Sequence, residues 1–205
     1  MMLRYDILAL PVVDSEGVLL GVVTFDDVMD VAQAEATEDF HKGAAVTPLK
    51  GSYRETGIWE LYKSRIVWLL GLVVVNLLSL ELMAYYEELL ASSIALTFFI
   101  PLLLGSGGNT GSQSSTIMVR GLATGDVEVN QWAASLGKEL TVGLALGATM
   151  GLTGVLLGTW KGGLTIALIV GLTMMIIIVV ANLIGVILPL ILTKLDLDPA
   201  VASNP

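Results

Sequence analysis

Long apolar runs alternate with short charged segments over the last two thirds of the chain. Four of them reach the roughly 20 residues that a helix needs to cross a bilayer. These runs cover about residues 66–86, 94–119, 140–160 and 164–192. Only Lys161, Gly162 and Gly163 separate the last two, which predicts a tight hairpin. A fifth span is expected to begin near Pro199, because Asp198 suits a helix N-cap and proline suits the first helical position.

The second run changes character halfway along its length. Residues 94–104 are apolar, whereas residues 105–116 are all small or uncharged polar residues. A polar group without a partner costs several kcal/mol in hydrocarbon, so such a stretch lines a water-filled path or contacts other helices. We interpret it as the wall of a conduction pathway. For Asn109 we favour pore lining, whereas helix contact explains the glycines equally well.

Other polar and small residues in the apolar runs favour helix contact. Asn76 and Asn182 are isolated amides that we expect to bond a neighbouring helix. Gly143, Gly147, Gly151 and Gly154 recur every three or four residues in the third run and predict a contact stripe. Pro101 and Pro189 are expected to kink their helices.

The first 64 residues have a water-soluble composition. An apolar run at 7–13, a turn at 14–17 and a β-branched run at 18–24 predict a hairpin, followed by a helix capped near Asp26. With LPVVD at 10–14, GVVT at 21–24 and DDV at 26–28, this unit resembles the second half of a CBS domain. Some thirty residues cannot bury an adequate core alone, so we expect the chain to be part of a larger protein.

Three regions follow from this division: a partial α/β CBS domain at 1–30, an acidic connecting segment at 31–64 and an all-α membrane domain at 65–205. Along the predicted helix after the hairpin, residues 26–39 include six carboxylates with no Lys or Arg among them, namely Asp26, Asp27, Asp30, Glu35, Glu38 and Asp39. Like charges three or four residues apart destabilise an exposed helix. Divalent cations would relieve this repulsion, although a solvated acidic face is the simpler alternative. His41, beside this cluster, is expected to be an exposed linker residue.

Composition and charge narrow the choice of function. The chain is 55% apolar and 14% charged, as expected for a membrane protein. It has no cysteine, so a bound metal needs oxygen ligands, which suit hard cations. Its net charge of −9 excludes nucleic acid as a partner, and no phosphate-binding loop or nucleophile–base pair suggests an enzyme.

Basic residues predict the orientation in the membrane. With the N-terminus in the cytoplasm, all of the ten Lys and Arg residues except Lys161 lie on the cytoplasmic side. The same orientation places Glu81, Glu87 and Glu88 at or near the outer face. The sequence therefore predicts a multi-pass protein of the cytoplasmic membrane.

Five motifs in order make the chain resemble the MgtE family of magnesium transporters and channels over nearly its whole length. They are VTFDD at 23–27, EATED at 35–39, PLLLGSGGNTGSQSS at 101–115, ANLIG at 181–185 and DPAVASNP at 198–205. The resemblance implies a homodimer embedded in lipid, with five membrane helices per protomer. The fifth helix is expected to be truncated here, so the family's central selectivity carboxylate is not in this sequence. The ion path would follow the dimer axis, between the second and fifth helices.

The resemblance also implies roles for particular residues. Regulatory Mg²⁺ would be bound by Asp6, Asp27, Asp30, Glu35, Glu38, Asp39 and Asp198. The pore would be lined by Gly105, Gly108, Asn109, Thr110, Gln113 and Asn204. Asp39 stands where the family has Glu, which keeps the charge and shortens the side chain. In the family, the helix that joins the CBS domain to the membrane plugs the pore when Mg²⁺ binds.

The sequence thus predicts a passive, Mg²⁺-gated channel for Mg²⁺ uptake, in which Mg²⁺ is both cargo and regulator. Mg²⁺ releases its water reluctantly, so a pore of amides, hydroxyls and carbonyls suits the hydrated ion. Two alternatives remain open. One is a transporter of another divalent cation, such as Mn²⁺, Co²⁺ or Ca²⁺, and the other is a non-conducting membrane sensor regulated through its CBS segment.

Overall fold

The computed structural model of the chain describes residues 2–49 and 51–202. Its elements are α1 Met2–Tyr5, β1 Ala9–Val13, β2 Leu19–Thr24, α2 Phe25–Gly43, α3 Ile58–Tyr85, α4 Glu87–Ser92, α5 Ile94–Thr97, α6 Ile100–Thr124 and α7 Trp132–Lys194, with 3-10 helices at Val129–Gln131 and Pro199–Ala202. A small strand-containing segment therefore precedes a long helical region, as the sequence predicted.

The predicted hairpin is confirmed, with β1 and β2 antiparallel and Leu10 opposite Val23. The Asp14 carboxylate closes the turn by accepting the backbone N–H groups of Glu16 at 2.9 Å and Val18 at 2.8 Å. Apolar side chains of both strands remain exposed; Leu20, for example, is 68% exposed. The hairpin alone therefore provides little core.

Helix α2 begins earlier than predicted, and its cap is Thr24 rather than Asp26. Thr24 has extended backbone dihedrals. The Asp27 carboxylate accepts hydrogen bonds from the Thr24 backbone N–H at 3.1 Å and from the Thr24 hydroxyl at 2.6 Å. Because these bonds fix Thr24 at the boundary, the helix starts directly after strand β2.

Three helical stretches of the described chain are long and apolar enough to cross a membrane: Ile58–Tyr85, Ile94–Thr124 and Val129–Lys194. The last is bent back at Gly163, where φ is 78° and ψ is −176°. Residues 132–162 and 164–194 form the two arms of a helical hairpin, which confirms the tight turn predicted at 161–163. Glycine provides the positive φ that other residues rarely adopt.

The predicted kink at Pro101 is wrong in its location. The second span is interrupted at Phe98 and Phe99, between α5 and α6, and Pro101 lies in the first turn of α6. A proline there removes no helical hydrogen bond. Pro189 is buried inside the second arm of α7, where the backbone dihedrals remain helical.

Small residues bring the membrane helices together. A Cβ atom on Gly151 would lie 2.9 Å from the Gly171 carbonyl oxygen, and one on Gly147 would lie 3.0 Å from that of Met175. The glycine stripe of the third span therefore faces the second arm of α7, as predicted. Around this contact, Val170, Met174, Ile178 and Val186 are almost completely buried. In α3, by contrast, Ser64 alone is buried among the described residues.

Candidate functional site

Helix α6 has two different polar faces. One face is buried against α7 and contains Gly107, Thr110, Gly111, Ser114, Ser115, Met118 and Val119. The other face is exposed and contains four of the predicted pore-lining residues, Gly105, Gly108, Asn109 and Gln113. Gly105 lies three residues before Gly108 and four before Asn109, and Gln113 lies four after Asn109, which places the four residues along one side of the helix. We call these four residues the α6 stripe.

Thr110 does not belong to the α6 stripe. Its side chain is 9% exposed, and its hydroxyl donates a hydrogen bond to the Ser106 carbonyl at 2.9 Å. The buried position of Thr110 favours helix contact. Its pore-lining role stays a prediction, and this arrangement does not support it. Asn204, the sixth predicted pore residue, lies outside the described residues.

A buried polar network joins α6 to both arms of α7. The Ser114 hydroxyl donates to Asn182 Oδ1 at 2.5 Å. Asn182 Nδ2 donates to the Glu139 carbonyl at 2.8 Å and to its carboxylate at 2.9 Å. The expectation that Asn182 bonds a neighbouring helix is confirmed. The sequence analysis missed Glu139, although the antiparallel arms around Gly163 place the start of the third span opposite Asn182.

A cavity of about 730 Å³ lies where α2 approaches α6. Asp39, Phe40 and Gly43 contribute to its α2 wall, and Ser112, Thr116 and Arg120 to its α6 wall. Ser112 and Thr116 follow Asn109 and Gln113 along the same side of α6 at helical spacing. The α6 stripe therefore leads towards a cavity whose opposite wall is formed by α2, which we call the acidic connecting helix.

The predicted acidic ligands are spread over different sides of α2. Asp30 and Glu38 line a second, shallow groove together with His41, which is half-buried, whereas Asp39 faces the first cavity. Asp6 and Glu35 are exposed. Within residues 2–49 and 51–202, no three His or acidic side chains are close enough to hold a metal ion together. Their oxygen chemistry fits Mg²⁺, but this arrangement of the single chain does not gather them.

Asp27 already has a structural partner. The hydrogen bonds from the hydroxyl and the backbone N–H of Thr24 hold the pKa of its carboxyl below the usual range. The carboxylate is therefore ionised at neutral pH, in the form that could also bind a cation.

Lys42 joins two of the predicted metal ligands. Its Nζ lies 2.5 Å from Glu38 Oε1, one turn earlier on α2, and 2.5 Å from Asp198 Oδ2, before the fifth predicted span. Asp198 Oδ1 accepts the Ala200 backbone N–H at 2.8 Å, which confirms the predicted cap. Partial burial opposes ionisation of Asp198, but its bonds with Lys42 and Ala200 outweigh burial and lower the carboxyl pKa.

The same contacts act on Lys42. Its hydrogen bonds to Asp198 and then to Glu38 raise the pKa of the ammonium above the usual value. The sequence analysis counted Lys42 only as an orientation signal. The spacing to Glu38 predicts the local pair, but nothing in the sequence pattern indicates the contact with Asp198, 156 residues away.

These features define a helical membrane protein whose polar helix face ends at an acidic connecting helix. The family described as "MgtE: Divalent cation transporter" matches residues 100–205, and the CBS domain matches residues 1–34. The chain belongs to the MgtE family.

Three curated relatives match almost the whole chain, and each is named magnesium transporter MgtE. The protein of Thermus thermophilus is 43% identical over 100% of the chain, that of Enterococcus faecalis 36% over 98%, and that of Bacillus subtilis 34% over 98%. The chain spans 44–46% of the length of these relatives.

Proposed function

We propose that the protein carries Mg²⁺ passively across the cytoplasmic membrane through a path lined by the α6 stripe. The names of the three relatives support Mg²⁺ as the cargo. The observation that carries the proposal is the α6 stripe itself, which is polar, uncharged and exposed on a helix of membrane-spanning length. A lipid-facing surface of this kind is unfavourable, whereas a surface facing hydrated ions is not.

The chemistry of the stripe suits a hydrated ion. Asn109 and Gln113 offer amide groups, and Gly105 and Gly108 leave the helix backbone uncovered. Mg²⁺ retains its water shell more strongly than larger cations, so hydrogen bonds to that shell allow passage without dehydration.

A second copy of the chain would complete the path. The stripe faces away from α7, and α3 leaves nearly its whole apolar surface uncovered. A homodimer with the two α6 stripes facing each other would enclose water between them. The remaining apolar surface of α3 would contact lipid or the second protomer.

We further propose that the path is gated from the cytoplasmic side, where the N-terminal segment and α2 lie according to the distribution of basic residues. Because α2 forms one wall of the cavity towards which the stripe leads, its displacement would change access to the path. Mg²⁺ bound by the acidic residues of α2 would hold the helix in the closed position and thereby make Mg²⁺ its own regulator.

Flux of Mg²⁺ into liposomes tests the transport proposal. Asn109→Leu should reduce the flux while leaving the gel-filtration profile unchanged. Thr110→Val on the buried face is the matched control and should conduct normally. Unchanged flux in Asn109→Leu would remove Asn109 from the path. A protein that passes no ion would be the non-conducting sensor, and competition by Mn²⁺, Co²⁺ or Ca²⁺ would rank the alternative cargoes.

The gating proposal needs the intact protein. Combined neutralisation of the five predicted metal ligands of α2, namely Asp27, Asp30, Glu35, Glu38 and Asp39, should leave the path open at millimolar Mg²⁺. A combined variant that still closes at the same Mg²⁺ concentration as the unmodified protein contradicts this mechanism. Neutralising Glu16 in the hairpin turn is a charge control that should not affect closure.

A further inference from the structure

Among the described residues, Lys42 makes one ion pair within α2, to Glu38, and one between α2 and the segment before the fifth span, to Asp198. Its ammonium is 2.5 Å from a carboxylate oxygen of Glu38 on α2 and 2.5 Å from one of Asp198 beyond α7. The Lys42 side chain is 25% exposed, and the Glu38 and Asp198 side chains are 42% and 38% exposed. We call this three-residue contact the Lys42 bridge.

The geometry of the Lys42 bridge is that of one cation shared by two carboxylates. Glu38 and Asp198 belong to parts of the chain far apart in sequence, and each places a carboxylate oxygen against the same ammonium. Without a positive charge between them, the two carboxylates would repel each other. The ammonium removes this repulsion and adds two charge-assisted hydrogen bonds.

The bridge also fixes the segment that follows α7. Asp198 uses one oxygen for Lys42 and the other for the Ala200 backbone N–H, at 2.8 Å. The carboxylate that caps the 3-10 helix Pro199–Ala202 is therefore the same carboxylate that contacts α2. A change in the bridge reaches both the connecting helix and the start of the fifth predicted span.

We propose that Lys42 is the metal-independent cation of this contact: its ammonium holds the end of α2 to Asp198 when no divalent ion is bound, and it competes with any divalent ion that bridges Glu38 and Asp198. A regulatory role for this competition rests on the proposed gating by Mg²⁺. The contact itself does not, because it requires only charges of this chain.

Two consequences distinguish this role from that of an ordinary surface lysine. Loss of the ammonium should separate α2 from Asp198 in the absence of metal. It should also make the two carboxylates more available to a divalent ion, so that less Mg²⁺ is needed to bring the segments together. A lysine that merely contributes to the protein surface changes neither.

The experiment measures a distance in the membrane-embedded protein. The chain has no cysteine, so spin labels at Thr37→Cys and Val201→Cys, both exposed positions, report on α2 and on the fifth segment. An excess of unlabelled chain ensures that the distance is measured within one protomer. Spectra are recorded in EDTA and during titration with Mg²⁺, with and without Lys42→Met.

In EDTA, Lys42→Met should give a longer and broader distance distribution than the unmodified lysine, while Lys42→Arg, which keeps the charge, should not. Addition of Mg²⁺ should restore the short distance at a concentration roughly two- to fivefold lower than in the Lys42 protein, the range expected for loss of a partly exposed ion pair. Lys194→Met removes a positive charge from the end of α7 and serves as the matched control.

An unchanged distance in EDTA overturns the proposal, and so does a higher Mg²⁺ requirement in Lys42→Met. If the distances respond as expected but Mg²⁺ flux does not follow them, the bridge stands and the proposed gating fails. Gel filtration of every variant checks that the protein keeps its overall size.

Discussion

Helices α3 and α6 both have the length of a membrane span, yet only α6 is packed within the chain. Helix α3 is the more apolar of the two, and its most hydrophobic window is 0% buried, compared with 22% for the stretch that contains α6. In a bilayer, the apolar side chains of α3 gain no hydrophobic stabilisation by exchanging contact with lipid for contact with another helix. The small residues of α6 allow close backbone approach, which stabilises contact in a bilayer.

The contact between α6 and α7 shows this directly. Gly111 faces Ala181 and Gly185, and a Cβ atom on Gly111 would lie 3.4 Å from the Ala181 carbonyl oxygen. On α3, a Cβ atom on Gly71 would meet nothing within 4 Å. Among the described spans, small residues opposite one another therefore indicate helix contact better than hydrophobicity does.

The largest contrast is expected in chemical labelling. In this cysteine-free chain, a single Asn109→Cys should react with a hydrophilic thiol reagent, because the α6 stripe would face water. Val74→Cys on α3 should remain unmodified, because it would face lipid or protein. Ser115→Cys tests the buried face of α6 and should also be protected. Mass spectrometry measures the modified fraction, and equal labelling of Asn109→Cys and Val74→Cys would remove the distinction between the two helices.

Gly185→Ala should cause the largest loss of stability. Its new methyl group would collide with the Gly111 carbonyl oxygen and lie 3.0 Å from Ser114 Cβ. Overpacking of this kind costs about 1–3 kcal/mol, so the midpoint of thermal unfolding in detergent should fall. Gly71→Ala is the matched change on α3 and should leave the midpoint nearly unaltered. A similar decrease in both variants would mean that α3 is as tightly packed as α6 in the assembled protein.

Asn182→Leu should have a smaller effect on the same measurement. It removes the hydrogen bonds to Ser114 and Glu139, and interhelical bonds of this type are worth roughly 1–2 kcal/mol in membranes. Asn76→Leu provides the same substitution on α3, where the side chain is exposed. If Asn76→Leu destabilises the protein more than Asn182→Leu, Asn76 has a partner in a second protomer.

The smallest effect is expected from pH on the Lys42 bridge. The lowered pKa of the Asp198 carboxyl means that the bridge contributes stability at pH values above 3.8, the ordinary pKa of this group. That stability is lost as the pH falls through the lowered pKa. The raised pKa of the Lys42 ammonium means that the bridge contributes stability at pH values below 10.5, the ordinary pKa of this group. That stability is lost as the pH rises through the raised pKa. The distance between labels at 37 and 201 should therefore be constant from about pH 5 to pH 9. A change in this distance near neutral pH would contradict the Lys42 bridge as the contact that holds the two segments together.

Periodicity and composition predicted the membrane helices and the hairpin around Gly163, because run length and turn residues are local signals. They did not predict which polar residues of the second span face α7. Thr110 and Asn109 are neighbours of similar polarity, and only the position of α7 separates them. The Lys42 bridge and the role of Glu139 depend on contacts over many residues, for which a single sequence gives no pattern.

The local error at the start of α2 has a similar cause. Asp26 and Asp27 are both good helix-capping residues, and the sequence does not decide between a cap at Asp26 and a cap at Thr24 completed by Asp27. The hydrogen bond of Phe25 N–H to the Leu8 carbonyl, at 2.9 Å, helps to position the first turn against the hairpin.

The cap at Thr24 also has a mechanical consequence. It joins strand β2 to a helix of 19 residues without an intervening loop, so a rotation of the hairpin would be passed directly to the helix. At 1.5 Å per residue the helix is roughly 28 Å long, and a tilt of about 5° would move its far end by about 2.5 Å. This displacement is close to the width of a water molecule, so a slight tilt would already shift the wall that α2 contributes to the cavity beside Gly43.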